Sequence, residues 1–506
     1  MQPVARTDRI AMIAIVAVGC AATIVFGERI GVHGGEGWDG QSYAAWAGDL
    51  PKALADGVTA FQSERMLPSA IVYYALGALG VARTAGRVIV GFQLLDSVAL
   101  VASAWLLGRI AFALAWSRAT TWVAFAAAFL GFANARHALY YPTMTDPSAF
   151  ALAMAIAWAY VVGRPLVLWI AALASAFTWP ALVLVGLLGL ALPRATEPPP
   201  TTTGRWHRAS AVAVGVAVLG FITWWCAFVL MYPRGAERWI DRSHRDLWPL
   251  SIASLAIPCA AAAYVVARHD RTWSVRSYLV RVGVWRCVRG VVAIAAIVVA
   301  SELWRAKVGT QGPGFGWRDL RHYYVATSVH APLWNLVHHV VYFGPIVVLA
   351  IGAWRPIADT AARWGPGAVL ALGVVVVTSV SADSRHLLHL LPFAMVATIE
   401  ATRAWWTPRG ALAFIALGVA WSKIWFRIGY VSIHESLDWP DLRWFMHFGP
   451  WSNDTTFIIH GVAAVVTAAV LWLVLRGQRV LKNAKAFEIT QPVPMPDLSG
   501  QGDSAI

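Results

Sequence analysis

Charge is scarce in this chain: Asp, Glu, Lys and Arg supply 13% of its 506 residues, against 58% hydrophobic. A soluble domain carries about a quarter of its residues charged, so one large water-exposed globule is excluded. Cysteine is scarce too: of four, Cys20, Cys226 and Cys259 lie in apolar segments and Cys287 in a basic one. None has CxxC or zinc-ligand spacing, which excludes a disulfide framework and a cysteine-based metal site. No internal repeat is visible. Acidic residues are outnumbered 26 to 40, for a net charge of +14. No nucleic-acid partner follows from that excess, because the arginines sit in short breaks between apolar runs, where the positive-inside rule places them.

What the chain does have is apolar blocks of 15 to 25 residues. A bilayer core of ~30 Å takes ~20 helical residues to cross, and blocks apolar on every side are not surface helices. The reading is an all-α, polytopic transmembrane helical protein of about 13 to 14 spans. They fall near 10–27, 88–108, 119–133, 148–163, 165–177, 180–193, 209–231, 249–267, 290–304, 332–353, 365–382, 387–402, 410–427 and 456–475. Breaks between them alternate between short basic ones, such as Arg268 to Arg289 with six arginines, and longer ones rich in Trp, Tyr, Gly and acids. With both termini cytoplasmic, the basic set falls inside and the other set outside. The run after basic Met1–Arg9 continues through Cys20 to Phe26 without a closing cleavage site, so Ile10–Gly27 reads as an uncleaved first span. Leu67–Val81 covers 15 residues, roughly 22 Å of helix at ~1.5 Å per residue, and reads as a juxtamembrane or re-entrant helix of the first outer loop. Segments 165–177 and 180–193, joined at Thr178-Trp179-Pro180, are short enough to be a half-inserted pair.

Residues 1–193 then form a first transmembrane module carrying outer loops 28–87 and 134–147, and 194–485 a second, variable transmembrane module. The Pro-Pro-Pro-Thr-Thr-Thr stretch at 198–203 reads as a linker and 486–506 as a disordered tail.

The densest polar signal is in the first outer loop, Glu36-Gly37-Trp38-Asp39-Gly40-Gln41-Ser42-Tyr43, followed by Gln62-Ser63-Glu64-Arg65. Its glycines let the backbone turn tightly. Asp39, at the start of an aromatic helix and partly shielded by apolar groups, suits a base that takes a proton from a hydroxyl; a solvated acidic turn is the plainer alternative. In Tyr140-Tyr141-Pro142-Thr143-Met144-Thr145-Asp146-Pro147, Thr145 or Asp146 is expected to cap the helix beginning at Pro147. In Asp383-Ser384-Arg385-His386-Leu387-Leu388-His389, Arg385 and His389 share a helix face suited to holding a phosphate. The alternative is an arginine snorkelling to the interface with Asp383 as its partner. His386 and His389 lack an apparent third ligand, so no metal is assigned. Asp96, within an apolar span, calls for a structural partner or a neutral form. Loops 305–331 and 428–455 are aromatic and of mixed charge, fit for an acceptor groove or an interfacial aromatic belt.

Taken together, Trp38-Asp39-Gly40-Gln41 with Tyr43 after it, Arg65-Met66-Leu67-Pro68 downstream, Thr145-Asp146-Pro147 and Arg385-His386 resemble the GT-C superfamily of polytopic glycosyltransferases. The nearest flavour is the bacterial mannosyltransferase-like membrane proteins. The resemblance covers the first ~190 residues by motif and the rest by hydropathy and loop placement. It implies a GT-C-like fold in the bacterial inner membrane, an active face on the periplasmic or extracellular side, and a polyprenyl-phosphate sugar donor. The acceptor hydroxyl would belong to a glycan, lipid or protein. It further implies Asp39 as the base, inversion at the anomeric carbon, and Asp146 orienting acceptor or base. Arg385, Arg65, His386 and His389 would attend the donor phosphate, with Glu36, Gln41 and Tyr43 binding substrate. The first loop has Glu36 and Asp39 three apart rather than an adjacent acidic pair, which gives no support to a divalent metal cofactor, so no cofactor is expected. The absence of a soluble C-terminal domain argues against the oligosaccharyltransferase branch.

A transporter or flippase of a lipid-linked or amphipathic substrate is the main alternative. It predicts ionisable residues at mid-membrane and a repeated half, whereas this chain has only Asp96 deep inside and no repeat. A non-catalytic scaffold gives no reason for the glycine-rich acidic loop. An O-antigen ligase-like enzyme calls for one large, basic outer loop, which 428–455 is not.

Overall fold

The computed structural model describes residues 5–195, 220, 223–232, 237–270, 275–308, 317–425, 428 and 448–489. The linker expected at 198–203, most of the loop at 428–455, the Gly309–Gly316 part of loop 305–331 and the tail beyond 489 lie outside the described residues. Every regular element among the described residues is helical.

Among the described residues, five helices are long and apolar enough to cross a membrane: Arg6–Phe26, Ala85–Ala113, Arg245–Ala267, Val284–Val308 and Asp454–Arg476. Several other expected spans are shorter or broken. The block at 332–353 divides into Trp334–Phe343 and Pro345–Gly352, because Pro345 has no N–H to continue the first helix. Likewise 365–382 is helical only over Pro366–Thr378, and 387–402 becomes a single turn, Arg385–Leu388, followed by Leu391–Thr402 with Pro392 in its first turn. Leu67–Ala78 is short, as its 12 residues require. Pro165–Ser175 and Pro180–Ala191 pack on one another as a hairpin with Trp179 at the turn.

Side-chain contacts sort the helix ends into two groups. At one end Asp8 receives Arg118 Nε at 2.9 Å and Trp122 Nε1 at 3.1 Å, Trp116 donates to Glu400 at 2.8 Å, and Arg194 donates to the Val161 carbonyl at 2.6 Å. Here Arg9 lies along Gly108 with its guanidinium 5.3 Å from the Phe112 ring centroid. At the other end Arg136 pairs with Glu28 at 2.7 Å, Arg305 pairs with Glu64, Trp304 donates to the Ser63 carbonyl at 3.1 Å, and Leu67 N–H donates to the Phe177 carbonyl at 2.8 Å. Arg403 donates to the Leu114 carbonyl at 3.4 Å and so joins Arg118 and Asp8 at the first end, while the glycine-rich first loop is tied to residues 136, 177 and 304–305 at the other.

Candidate functional site

The second end is built around the Gly34–Gly40 loop. Gly37 has φ of 72°, in the left-handed region, and a Cβ there would lie 2.1 Å from a Tyr141 ring carbon. A Cβ on Gly40 would lie 1.9 Å from Thr143 Oγ1. Only glycine at both positions lets Tyr141-Pro142-Thr143 seat against Trp38-Asp39. The Gly40 N–H donates to the Tyr141 hydroxyl at 3.1 Å and Thr143 Oγ1 to the Glu36 carbonyl at 2.6 Å. Trp38 meets the Tyr141 ring edge-on. The two loop motifs are therefore one packed unit, and it presents Asp39 at the first position of the Asp39–Gly48 helix, where the helix dipole favours a carboxylate. The Asp39 side chain is 56% exposed.

Opposite it stands Arg385, 346 positions further along the chain, with Nη1 3.6 Å from Asp39 Oδ2. The buried Asp383 carboxylate accepts the Arg385 backbone N–H at 3.1 Å and lies 3.5 Å from Nη2, aiming the guanidinium at Asp39. Arg385 is 14% exposed, so it does not snorkel to solvent; it is held between two carboxylates. Burial opposes ionisation of Asp383, but Arg385, His386 and the Arg385 hydrogen bonds outweigh it and hold the carboxyl below its ordinary range.

Asp146 corrects the capping expectation. The Asp146–Val162 helix has no side-chain cap, and Thr145 Oγ1 and both Asp146 oxygens are buried without accepting a hydrogen bond among the described residues. Asp146 lies two residues ahead of the apolar span. Burial raises its pKa to about 6, against the pull of Arg385 and Arg65. Such a carboxyl exchanges its proton near neutral pH.

Arg65 is buried, with its guanidinium 3.9 Å from the Trp179 ring centroid and 3.4 Å from the Tyr43 hydroxyl. His389, expected to share a face with Arg385, instead lies against Trp179 at 4.8 Å between ring centroids, because the helix it was assigned to lasts one turn, Arg385–Leu388. His386 lies beside Tyr324 and has Nδ1 3.3 Å from Ser381 Oγ; burial pushes its pKa down to about 4, leaving it neutral. Glu36 joins through its carbonyl, and Gln41 faces the surface. Asp383, Trp179, Tyr141, Thr143 and Tyr324 are site residues that the sequence reading did not single out as such. Trp179 had one visible signal, its place at the turn between two short apolar helices.

The Asp96 carboxyl, 0% exposed, accepts no hydrogen bond among the described residues, so of the two arrangements expected for it, a structural partner or a neutral form, the first is not seen there. Beside the cluster is an apolar cavity of about 350 Å³ lined by residues including Pro258, Phe343, Ile346, Leu387, Ala394 and His339. His339 Nδ1 lies 2.9 Å from Ser384 Oγ, in the segment that carries Arg385. Compared with known proteins, the chain matches no family model, no curated protein and no solved structure.

Proposed function

We propose that this chain is an integral-membrane glycosyltransferase. It moves a sugar from a polyprenyl-phosphate-linked donor to a hydroxyl of a glycan, lipid or protein acceptor, at the outer face of the bacterial inner membrane, with both termini cytoplasmic. The observation that carries the reading is the exposed Asp39 carboxylate facing a nearly buried arginine, with Asp146 and Arg65 behind them. Asp39 takes the acceptor proton as the acceptor oxygen bonds to the anomeric carbon. The bond from that carbon to the phosphate oxygen breaks, and the lipid phosphate leaves with the electron pair. Arg385 and Arg65, both largely buried, receive that charge where such contacts are stronger than in bulk solvent. Before donor binding, Arg385 holds Asp39; an incoming phosphate competes for the guanidinium and frees the carboxylate to act as base.

The apolar cavity next to Ser384 suits the prenyl chain of such a donor. Ala394→Phe is expected to fill it, cutting transfer from long-chain donors at least ~10-fold while sparing donors with short prenyl chains. Comparing chain-length profiles of the two proteins checks this. The class itself is tested by transfer of labelled sugar from polyprenyl-phosphate donors in membranes carrying the protein; no transfer with any donor tried speaks against it.

If Asp146 works in its ionised form, the transfer rate rises with pH as the carboxyl loses its proton around pH 6 and levels off above it. Asp146→Asn removes that acidic limb. A wild-type profile flat from pH 5 to 8 would contradict the assignment. The second reading, a transporter, draws support from the Asp96 carboxyl, which has no hydrogen-bond partner among the described residues; substrate flux in proteoliposomes without sugar transfer favours it.

A further inference from the structure

Outside the Asp39–Arg385 cluster, three side chains from distant parts of the chain converge. His244 precedes the short turn Arg245–Leu247, His330 follows the Trp317–Ser328 helix, and Asp454 opens the Asp454–Ile489 helix. Asp454 Oδ2 lies 3.1 Å from His244 Nε2, and Oδ1 lies 3.0 Å from His330 Nε2. One ligand atom from each residue falls within 4.8 Å of the other two. Around a tetrahedral zinc ion, with bonds of ~2.0–2.2 Å, neighbouring ligand atoms stand roughly 3.3 Å apart. We propose that His244, His330 and Asp454 bind a zinc-class divalent cation, with water completing its coordination.

The donor set favours that class. Two imidazoles and one carboxylate suit zinc and its transition-metal neighbours, whereas magnesium and calcium take oxygen ligands. The backbone holds the ligands ready: the His244 N–H donates to the His330 carbonyl at 3.1 Å. The His330 ring lies against Trp334 at 4.1 Å between centroids, and Asn453 Oδ1 accepts the Thr456 N–H at 3.0 Å, bracing the start of the Asp454 helix. Side-chain exposures of 42% for His244 and 55% for Asp454 leave a route for the ion and room for water.

The ion would staple together chain segments that also wall the candidate active site. Tyr324 on the Trp317–Ser328 helix lies against His386, and Trp451, just before Asp454, lies 5.6 Å from the Arg385 guanidinium carbon. Without an ion the same contacts are two hydrogen bonds from imidazole N–H groups to one carboxylate, and the experiment separates the two cases. It does not depend on sugar transfer, so its failure is distinguishable from failure of the glycosyltransferase reading.

Full-length protein in detergent, stripped with a chelator, is titrated with zinc alone against a competing indicator. One saturable zinc per chain is expected, with binding weakened at least ~100-fold in His330→Ala and in Asp454→Asn, beyond what loss of a merely supporting contact does. Exposed His33, replaced by Gln, leaves binding unchanged. Zinc also raises the melting temperature of the wild type and not of Asp454→Asn, which keeps the side-chain shape. No saturable site, or equal affinity in both ligand variants (an adventitious ion only), overturns the proposal.

Discussion

Asp39→Asn is expected to lower sugar transfer by ~10²–10⁴-fold, the range a positioned general base contributes, while expression and membrane insertion stay at wild-type levels. The amide keeps the shape of the side chain but has no lone pair basic enough to take a hydroxyl proton. Because Asp39 is more than half exposed, its replacement leaves no buried group stranded. Gly40 N–H and Tyr141, which seat the loop, are untouched by it. A purely structural role predicts a loss of melting temperature together with activity. Labelled-sugar transfer measured alongside thermal unfolding distinguishes the two, and full activity in Asp39→Asn would remove the base assignment.

The second large effect is Arg385→Ala. Removing one positioned donor to a developing anion costs ~10²–10³-fold in rate, and here the loss is expected chiefly in donor use, with acceptor dependence less affected. Arg385→Ala also strips Asp383 of its cation: that carboxylate is 2% exposed, and an uncompensated buried charge costs on the order of 3–5 kcal/mol. Arg385→Ala is therefore expected to melt earlier than wild type, unlike Asp39→Asn. The double variant Arg385→Ala with Asp383→Asn relieves the stranded charge. It should recover melting temperature without recovering transfer, which separates the structural part of the guanidinium's role from the chemical one. Recovery of both would mean that Arg385 acts only by supporting the fold.

The apolar helices were legible because hydropathy is a local property, and the five longest lie within or over blocks visible in the chain. Their breaks were less so. Pro345, Pro366 and Pro392 each stand inside an apolar block that reads as one span, and only the folded backbone shows helices starting there. At the site, Trp38-Asp39-Gly40 was visible as a turn, but what packs into the space left by Gly40 was not, since Thr143 arrives from another loop. Asp146 looked like a helix cap because sequence reveals a helix start and not the burial around it; the neighbours that hide it come from elsewhere in the chain. Asp383 enters the sequence analysis only through the alternative of a snorkelling arginine, for the same reason. Its role depends on Asp39 approaching from the opposite side of Arg385, a long-range fact with no local signature.

The neutrality of His386 has a consequence for how the site divides its labour. With that imidazole uncharged, its positive charge rests on Arg65 and Arg385, and guanidinium groups do not titrate at any physiological pH. On the proposed reading, the grip on an anion would therefore stay constant with pH. Asp146 instead changes its proton count at a pH of about 6. On the glycosyltransferase reading, holding and turning over would fall to different chemical groups, so external acidity would throttle transfer without loosening the hold on the donor phosphate.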